Sequence, residues 1–327
     1  MKKYDVVGLG NAIVDVIAKV EDSYLEKHEL NKGSMALIDE AQAETLYDDM
    51  PPAVESSGGS AANTLAGISS FGGAGAFIGK VKDDELGRIF AHDLKAIGVH
   101  YQTKPAKDGA STARCLIAVT ADAERTMSTF LGATRGITTG DIEENLIKDS
   151  KILYLEGYLW DEQHAKNAMR KAVELAKQYD CKVALSLSDP FCVNRHRAEF
   201  LQLIEEGVDI VFANEEEIKG LFETDDFDIA AANAKNIAEI VAITRGAKGS
   251  VIVNGDKQEK ISVPSGLNVV DTTGAGDLYA SGFLYGYTNG NSLAECGRLA
   301  TVAASEIVGH MGARPEVNLA DLAKKAA

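Results

Sequence analysis

The chain has 327 residues, of which 45% are hydrophobic and 25% charged, a balance that is ordinary for a globular protein with a full core. Its formal net charge is −16, so a nucleic-acid or anionic-membrane surface is not expected. No apolar run approaches the ~18 residues of a membrane-spanning helix, and the four cysteines lack metal-binding spacing, so the sequence predicts a cytoplasmic protein with reduced thiols.

Three segments favour a small β-rich lid, at about residues 12–22, 32–40 and 108–133. In the first and third, polar and apolar residues alternate with a period of two, and the second, GSMALID, is grouped with them. No helix separates the two halves of the third segment. A lid over a pocket suits chemistry that must exclude water.

The rest of the chain predicts an α/β core. YDVVGLGN is a short apolar strand, and DELGRIFAHDLKAIG is an amphipathic helix. From KILYLEG onwards, apolar strands alternate with helices until a hairpin with an Asn254–Gly255 turn. This order predicts right-handed βαβ units and a mainly parallel sheet covered on both faces, with residues 1–327 forming one unit.

Ligands of an open parallel sheet bind beyond the carboxyl ends of its strands. The predicted strand ends carry Asn11, Asp15, Asp189, Asn214, Glu217, Thr244, Gly246, Gly249 and residues 274–277. This set has no Ser–His–Asp or Cys–His arrangement. Its carboxylates, neutral donors and glycines are the groups that phosphoryl transfer uses.

Two common nucleotide-binding patterns are not met. GLGNAIVD imitates a dinucleotide fingerprint, but Ile13 stands at the third glycine position and no acidic residue ends a second strand at the expected distance. TRGAKG is too short for a P-loop and its lysine is misplaced. NAD-dependent and P-loop enzymes are therefore disfavoured.

The stretch VVDTTGAGDLYASGFLYG, residues 269–286, leads into a glycine-lined helix start that carries Asp277. Unpaired N–H groups and the helix dipole make such a start a seat for anions. A carboxylate there is useful if it handles the hydroxyl that attacks the anion; in the alternative interpretation Asp277 only caps the helix.

A second glycine-rich block begins SSGGSAANTLAG. It is either a small-residue helix that packs closely on the sheet or a substrate site. In the second interpretation Gly58 and Gly59 admit a ligand to the backbone. Asn63, together with Asp15 on the lid, then binds vicinal hydroxyls of a sugar.

These motifs resemble the ribokinase-like (PfkB) family of carbohydrate and nucleoside kinases. The resemblance rests on DTTGAGDLYASGFL and GGSAANTLAGISSFGGAGAFIG, on NEEE, which fits an Asn-x-x-Glu motif, and on TRGAKG, which fits a Thr-x-Gly-x-x-Gly element. Together they span nearly the whole chain. Within the family, GNAIVD and ERTMSTFLGA are most similar to adenosine kinases. The resemblance implies a three-layer fold with an inserted lid.

The resemblance also implies residue roles. Asp277 would be the catalytic base, in a position where the helix start should lower its pKa, and the N–H groups of Gly274, Ala275 and Gly276 would form an anion hole. The acceptor would be held by Asn11, Asp15, Gly58, Gly59 and Asn63. ATP would be held by Asn214, Thr244, Gly246 and Gly249, with Glu217 binding Mg²⁺ through water and K⁺ beside Asp271 and Thr273. Arg125 on the lid either steadies phosphate charge or is a solvated lid charge.

The acceptor is the least determined feature of the sequence. A furanose grip suits adenosine, another nucleoside, or a free sugar such as ribose or fructose. Phe130 and Tyr158 are placed to sandwich an adenine, although each is also a plausible core residue. An adenosine kinase is the leading hypothesis, with a sugar kinase next and a non-catalytic nucleotide-binding regulator last. Both a monomer and a homodimer fit the resemblance.

Overall fold

The predicted alternation of strands and helices is present in the computed structural model, which describes residues 2–122 and 124–326. Within these residues no helix is both long and apolar enough to cross a membrane. The strands are β1 (Tyr4–Leu9), β2 (Ile13–Lys19), β3 (Met35–Leu37), β4 (Val54–Gly58), β5 (Gly75–Ile78), β6 (His100–Tyr101), β7 (Ala113–Val119), β8 (Arg125–Phe130), β9 (Ser150–Glu156), β10 (Lys182–Ser186), β11 (Ile210–Asn214), β12 (Ile240–Thr244), β13 (Ser250–Asn254) and β14 (Lys257–Ile261). The helices are α1 (Asp22–Lys27), α2 (Glu40–Asp49), α3 (Ser60–Ser70), α4 (Glu85–Ala96), α5 (Glu144–Lys148), α6 (Gln163–Gln178), α7 (Pro190–Gly207), α8 (Glu215–Leu221), α9 (Phe227–Ala234), α10 (Ala275–Thr288), α11 (Leu293–Ile307) and α12 (Leu319–Lys325).

The central sheet has nine strands in the order β14-β13-β12-β11-β10-β9-β1-β5-β6. Its strands are parallel from β12 to β6, and the pairs β12–β13 and β13–β14 at the other edge are antiparallel. Parallel strands are buried on both faces, which explains their nearly continuous apolar sequences. The α/β fold class predicted from the sequence is confirmed.

Alternate residues of the central strands face two different hydrophobic cores. On β11, Val211 joins a core that contains Phe200 of α7, whereas Phe212 joins a core that contains Leu65 of α3 and Phe283 of α10. The sheet is therefore the middle of three layers. This packing holds α3 and α10 on one face, with their N-termini at the edge where the parallel strands end.

A second sheet of five strands, in the order β3-β8-β7-β2-β4, forms the lid. It contains the three segments predicted for the lid, and it adds β4, which the sequence analysis did not predict. Residues of even number on β2, such as Val14 and Val16, are buried in the core that includes Leu46 of α2. Those of odd number, such as Ile13 and Asp15, turn toward the carboxyl edge of the central sheet.

Candidate active site

Two cavities adjoin at the start of α10. The larger cavity, of about 790 Å³, lies between the lid and the carboxyl ends of the central strands. The smaller cavity, of about 540 Å³, lies between α11 and the segments that follow β12 and β14. Five residues line both of them: Thr244, Thr272, Ala275, Gly276 and Tyr279. A group held in one cavity can therefore meet a group held in the other at this helix start.

The start of α10 supplies unpaired backbone N–H groups at this junction. Gly274 has φ +77°, and a Cβ there would lie 2.9 Å from the Cβ of Ala313, so glycine is required for both conformation and space. The N–H of Ala275 closes a turn onto Thr272 O at 3.1 Å. The N–H groups of Gly274, Gly276 and Asp277 have no acceptor among the described residues. The prediction that residues 274–276 all contribute to an anion hole is therefore corrected: the N–H of Ala275 is already hydrogen-bonded within the protein.

Asp277 is held by two side chains from α3. Its carboxylate accepts hydrogen bonds from Ser60 Oγ at 2.6 Å and from Asn63 Nδ2 at 2.9 Å. Burial raises the pKa of Asp277, although the bonds from Ser60 and Asn63 and the charge of Arg314 oppose that rise. The predicted lowering of this pKa is wrong, because removal of the carboxyl group from water outweighs the groups that favour its charged form. A raised pKa makes the carboxylate a better proton acceptor.

Asn63 also offers a free acceptor to a ligand. Its side chain is 5% exposed, and its Oδ1 is buried without a hydrogen-bond partner among the described residues. Asn63 lines the larger cavity. A buried polar atom without a partner is unfavourable, so a hydroxyl donor in this cavity would relieve it.

Gly58 and Gly59 of the second block each leave room for an oxygen atom of a neighbouring residue. A Cβ at Gly58 would overlap the carboxylate of Asp15, and Gly58 itself is not among the residues that line the larger cavity. Gly59, with φ +94°, lines the cavity, and a Cβ there would overlap the carbonyl oxygen of Asn11. The close approach predicted at Gly58 is therefore made by Asp15. Burial raises the pKa of Asp15 to about 6, against the charges of Arg314 and Arg125.

Asn11 lines the larger cavity but is already engaged by protein groups. Its Nδ2 donates to Glu156 Oε1 at 2.7 Å, and its Oδ1 accepts from Thr134 Oγ1 at 3.0 Å. Glu156 also accepts from the N–H of Ala61 at 2.9 Å, and its burial raises its pKa to about 7. The sequence analysis missed Glu156 and Ser60. The acidic end of the apolar strand KILYLE was the available signal for Glu156.

Of the two aromatic residues predicted to contact an adenine, one lines the larger cavity and the other does not. Tyr158 lines the larger cavity and its hydroxyl donates to Ser188 O at 3.2 Å. Phe130 does not line it, because its side chain lies on the opposite face of β8, against Arg114. The stacking role predicted for Phe130 is wrong. The lid face of the cavity is formed instead by apolar and small polar side chains: Ile13, Met35, Leu37, Cys115, Ile117, Met127, Thr129 and Leu131.

Thr244, Gly246 and Gly249 all line the smaller cavity. Gly249 has φ +83°, and a Cβ there would overlap the carbonyl oxygen of Ile261, so this glycine lets the β13–β14 hairpin close against the loop. The walls of the cavity include the apolar side chains of Val263, Leu267, Val269 and Val308. Such walls suit a flat base.

Asn214 and Glu217 form a capping box at the start of α8, and both line the larger cavity. Glu217 Oε2 accepts from the N–H of Asn214 at 2.9 Å, and burial raises the pKa of Glu217 to about 7. Asp189 lines the same cavity and also acts electrostatically on Glu217. Among the described residues no group of three His, Cys, Asp or Glu could hold a metal directly. Two hard carboxylates fit a Mg²⁺ ion that arrives with phosphates and contacts the protein through water.

Arg125 joins the lid to the loop that precedes α10. Its Nη1 lies 2.7 Å from Asp271 Oδ2, while its Nε and Nη2 are buried without a partner among the described residues. Asp271 also accepts from the N–H and hydroxyl of Thr273, at 3.0 and 2.8 Å. Because a guanidinium already occupies this carboxylate, Asp271 and Thr273 do not fit the predicted K⁺ site in this arrangement.

The larger cavity holds an unpaired polar acceptor atom, and it meets the smaller, partly apolar cavity at a helix start beside a held carboxylate. This arrangement is suited to a phosphotransferase with an alcohol group as acceptor. A family model described as "pfkB family carbohydrate kinase" matches residues 5–319. The chain belongs to this family, and the resemblance noted from its motifs is confirmed.

The solved structures and curated relatives that this chain resembles include both adenosine kinases and sugar kinases. An adenosine kinase from Sinorhizobium meliloti superposes with a TM-score of 0.92 at 51% identity, covering 99% of this chain and 100% of that one. A probable sugar kinase from Rhizobium etli CFN 42 superposes equally well, with a TM-score of 0.92 at 47% identity over 100% and 99% of the chains. An adenosine kinase from Saccharomyces cerevisiae is 26% identical over 88% of this chain and 90% of its own length.

Proposed function

We propose that this kinase transfers the γ-phosphoryl group of ATP to the hydroxymethyl group of adenosine, giving AMP and ADP. The observation that carries the proposal is the apolar lid face of the larger cavity. Met35 and Leu37 on β3 are 50% and 57% exposed, and Ile117 and Met127 line the same cavity. These side chains face a cavity whose other part holds the polar Asp15 and Asn63.

This division of the cavity suits a ligand with one polar and one apolar half. A nucleoside brings a furanose for the polar part and a flat base for the apolar part. Burial of apolar surface is worth about 25 cal/mol per Å², so covering the lid side chains with a base favours binding. Ribose or fructose would instead place hydroxyls against apolar surface, where an unpaired hydroxyl costs about 1–3 kcal/mol.

The chemistry assigns one role to each held group. Asp277 orients the acceptor hydroxyl and takes its proton as the hydroxyl oxygen bonds to the γ-phosphorus and the bond to the ADP oxygen breaks. The N–H groups of Gly276 and Asp277 stabilise the charge of the phosphoryl group in transit. Thr244, Gly246 and Gly249 line the proposed ATP cleft, and Arg125 is proposed to turn its unpaired nitrogens toward the phosphates. Mg²⁺, near Asn214 and Glu217, would neutralise phosphate charge.

A sugar kinase is the second candidate, because Asp15 and Asn63 would hold a free furanose as well as a nucleoside. The Rhizobium etli relative described as a probable sugar kinase supports it.

We also propose that the chain acts as a monomer. Helices α1 and α2 pack on the outer face of the lid, where Leu25 and Leu46 contact lid residues, and so cover a surface through which two lids could pair.

The test is a turnover assay at fixed MgATP with adenosine, inosine, guanosine, ribose and fructose. We expect the highest kcat/KM for adenosine. Leu37→Ser should lower that value at least about fivefold while leaving any turnover of ribose unchanged, since it removes apolar surface only from the base half. Phe130→Leu is the matched control, because this side chain faces away from the cavity. A free sugar that outperforms every nucleoside would contradict the adenosine proposal and leave the kinase assignment intact.

A further inference from the structure

Arg314 lies after α11 and connects two parts of the site. Its Nε and Nη2 donate to Ser57 O at 3.1 and 2.8 Å, and Nη2 also donates to Ser57 Oγ at 3.1 Å. Its Nη1 donates to Ala62 O at 2.7 Å. Ser57 belongs to lid strand β4, and Ala62 lies in the first turn of α3. The guanidinium therefore ties the lid to the helix whose side chains hold Asp277.

The residues just before Arg314 contact the loop that precedes α10 and the start of that helix. The N–H of Gly312 donates to Asp271 Oδ2 at 3.2 Å. Ala313 packs so closely on Gly274 that a Cβ there would lie 2.9 Å from the Cβ of Ala313. Three successive residues, 312–314, thus contact the loop before α10, the anion seat and the acceptor half of the site. A displacement of this segment would therefore alter the contacts of all three regions.

The charge of Arg314 has no carboxylate partner among the described residues, since each of its hydrogen bonds goes to a neutral oxygen. Two functional carboxyls, Asp15 and Asp277, nevertheless lie within its electrostatic reach, and its charge lowers the pKa of both against the effect of burial. Asp93 of α4 also faces the guanidinium. Burial lowers the pKa of Arg314 itself to about 10, so it is cationic at neutral pH.

Few other charges face these two carboxyls. The titratable groups around them are each other and Arg125, Cys115, Tyr154, Glu156 and Tyr158. Arg125 is the other cation of this set, and it is already paired with Asp271. Arg314 is thus the cation of this set that acts on both Asp15 and Asp277, whereas Arg125 acts on Asp15 and not on Asp277.

We propose that Arg314 is a positioning residue for phosphoryl transfer. Its charge keeps Asp15 and Asp277 anionic, and its hydrogen bonds hold β4 against α3 so that both carboxylates face one acceptor. The inference rests on the proposed base role of Asp277 but on no particular acceptor. Its test therefore uses whichever hydroxyl acceptor the wild-type enzyme phosphorylates fastest.

The experiment compares Arg314→Met, Arg314→Lys and a control, Arg298→Met, over pH 5 to 9. Arg298 also donates to a backbone carbonyl, Ala323 O at 3.2 Å, but pairs with Glu295 and lies outside both cavities. A carboxylate base is active above its pKa, and loss of a nearby cation raises that pKa. Arg314→Met should therefore move the acidic limb of kcat/KM upward by about one pH unit, with about tenfold loss on that limb and a smaller loss at pH 9. The KM for ATP and the profile of Arg298→Met should stay at the wild-type values.

Arg314→Lys separates charge from geometry. It keeps the cation, so the acidic limb should stay in place, while loss of the planar fork should raise the acceptor KM severalfold. Equal loss at every pH in Arg314→Met, or an acidic limb that moves as far in the lysine variant, would overturn the proposal. If thermal unfolding shows that Arg314→Met does not fold, the lysine variant is judged against the wild type: an acidic limb at the wild-type position with a raised acceptor KM supports the proposal, and an acidic limb that moves upward overturns it. Full activity of Asp277→Asn would contradict the base assignment instead, and that variant is assayed separately.

Discussion

Asn63 gives the sharpest test of how the acceptor is held. Asn63 and Ser60 both donate to the carboxylate of Asp277, at 2.9 and 2.6 Å, from neighbouring turns of α3. Only Asn63 has a buried acceptor atom, Oδ1, without a partner among the described residues. Ser60→Ala and Asn63→Ala therefore both weaken the support of Asp277, but only Asn63→Ala removes the proposed contact with an acceptor hydroxyl.

The size of the effect follows from that one hydrogen bond. Leaving a buried polar partner unpaired costs about 1–3 kcal/mol, which is about 5- to 150-fold in kcat/KM. Asn63→Ala should lose this factor for adenosine in addition to the loss shared with Ser60→Ala. ATP affinity should remain unchanged in both variants, because neither residue lines the smaller cavity.

The assay is a double-mutant cycle between protein and ligand. The kcat/KM values of wild type, Ser60→Ala and Asn63→Ala are measured with adenosine and with its 2′-deoxy and 3′-deoxy analogues. If Oδ1 binds one of these hydroxyls, the wild type and Ser60→Ala should discriminate against the analogue that lacks it, and Asn63→Ala should not. Equal discrimination by all three enzymes against both analogues would refute the assignment of Oδ1 to the ribose.

Three further outcomes are expected. Asp277→Asn should retain ATP binding and lower kcat by about 10²-fold or more, as measured in single-turnover assays. Gly276→Val should lower kcat more than acceptor affinity, because the added side chain would enter the anion seat. The fold should tolerate the change, since no other group lies within 4 Å of an added Cβ. The acceptor KM should rise as the pH falls below about 6, because protonation of Asp15 removes a hydroxyl acceptor, and Asp15→Asn should abolish that dependence.

The part of the site that the sequence predicted follows from the topology of a parallel sheet. Asn11, Asn214 and Thr244 each stand at or just after the end of a strand, and parallel strands bring those ends to one edge whatever their order. No side-chain contact had to be known for that prediction. The same reasoning reached Asp277, since a glycine-lined helix start is a local feature.

What the sequence did not reveal depends on contacts between distant residues. Ser60 reaches Asp277 across 217 positions, and Arg314 reaches Ser57 across 257. The pKa of Asp277 also depends on contacts between distant residues. Its helix position alone predicts a lowered value, whereas the observed direction comes from burial by packing that no local pattern encodes.

The lid shows how a register decides which of two predictions can stand. Contact with a ligand was one of two alternatives for both Arg125 and Phe130, yet these residues are five positions apart on one strand, and residues of opposite parity point to opposite faces. Cross-strand pairing aligns Asp15 with Cys115 and Cys115 with Thr129, all of which line the larger cavity. The adjacent row of Val14, Arg114 and Phe130 is buried on the opposite face of the lid, where Val14 belongs to the core that includes Leu46 of α2. If the proposed adenine occupies this cavity, it meets the lid face that carries Met127 and Leu37 and not the opposite face that carries Phe130.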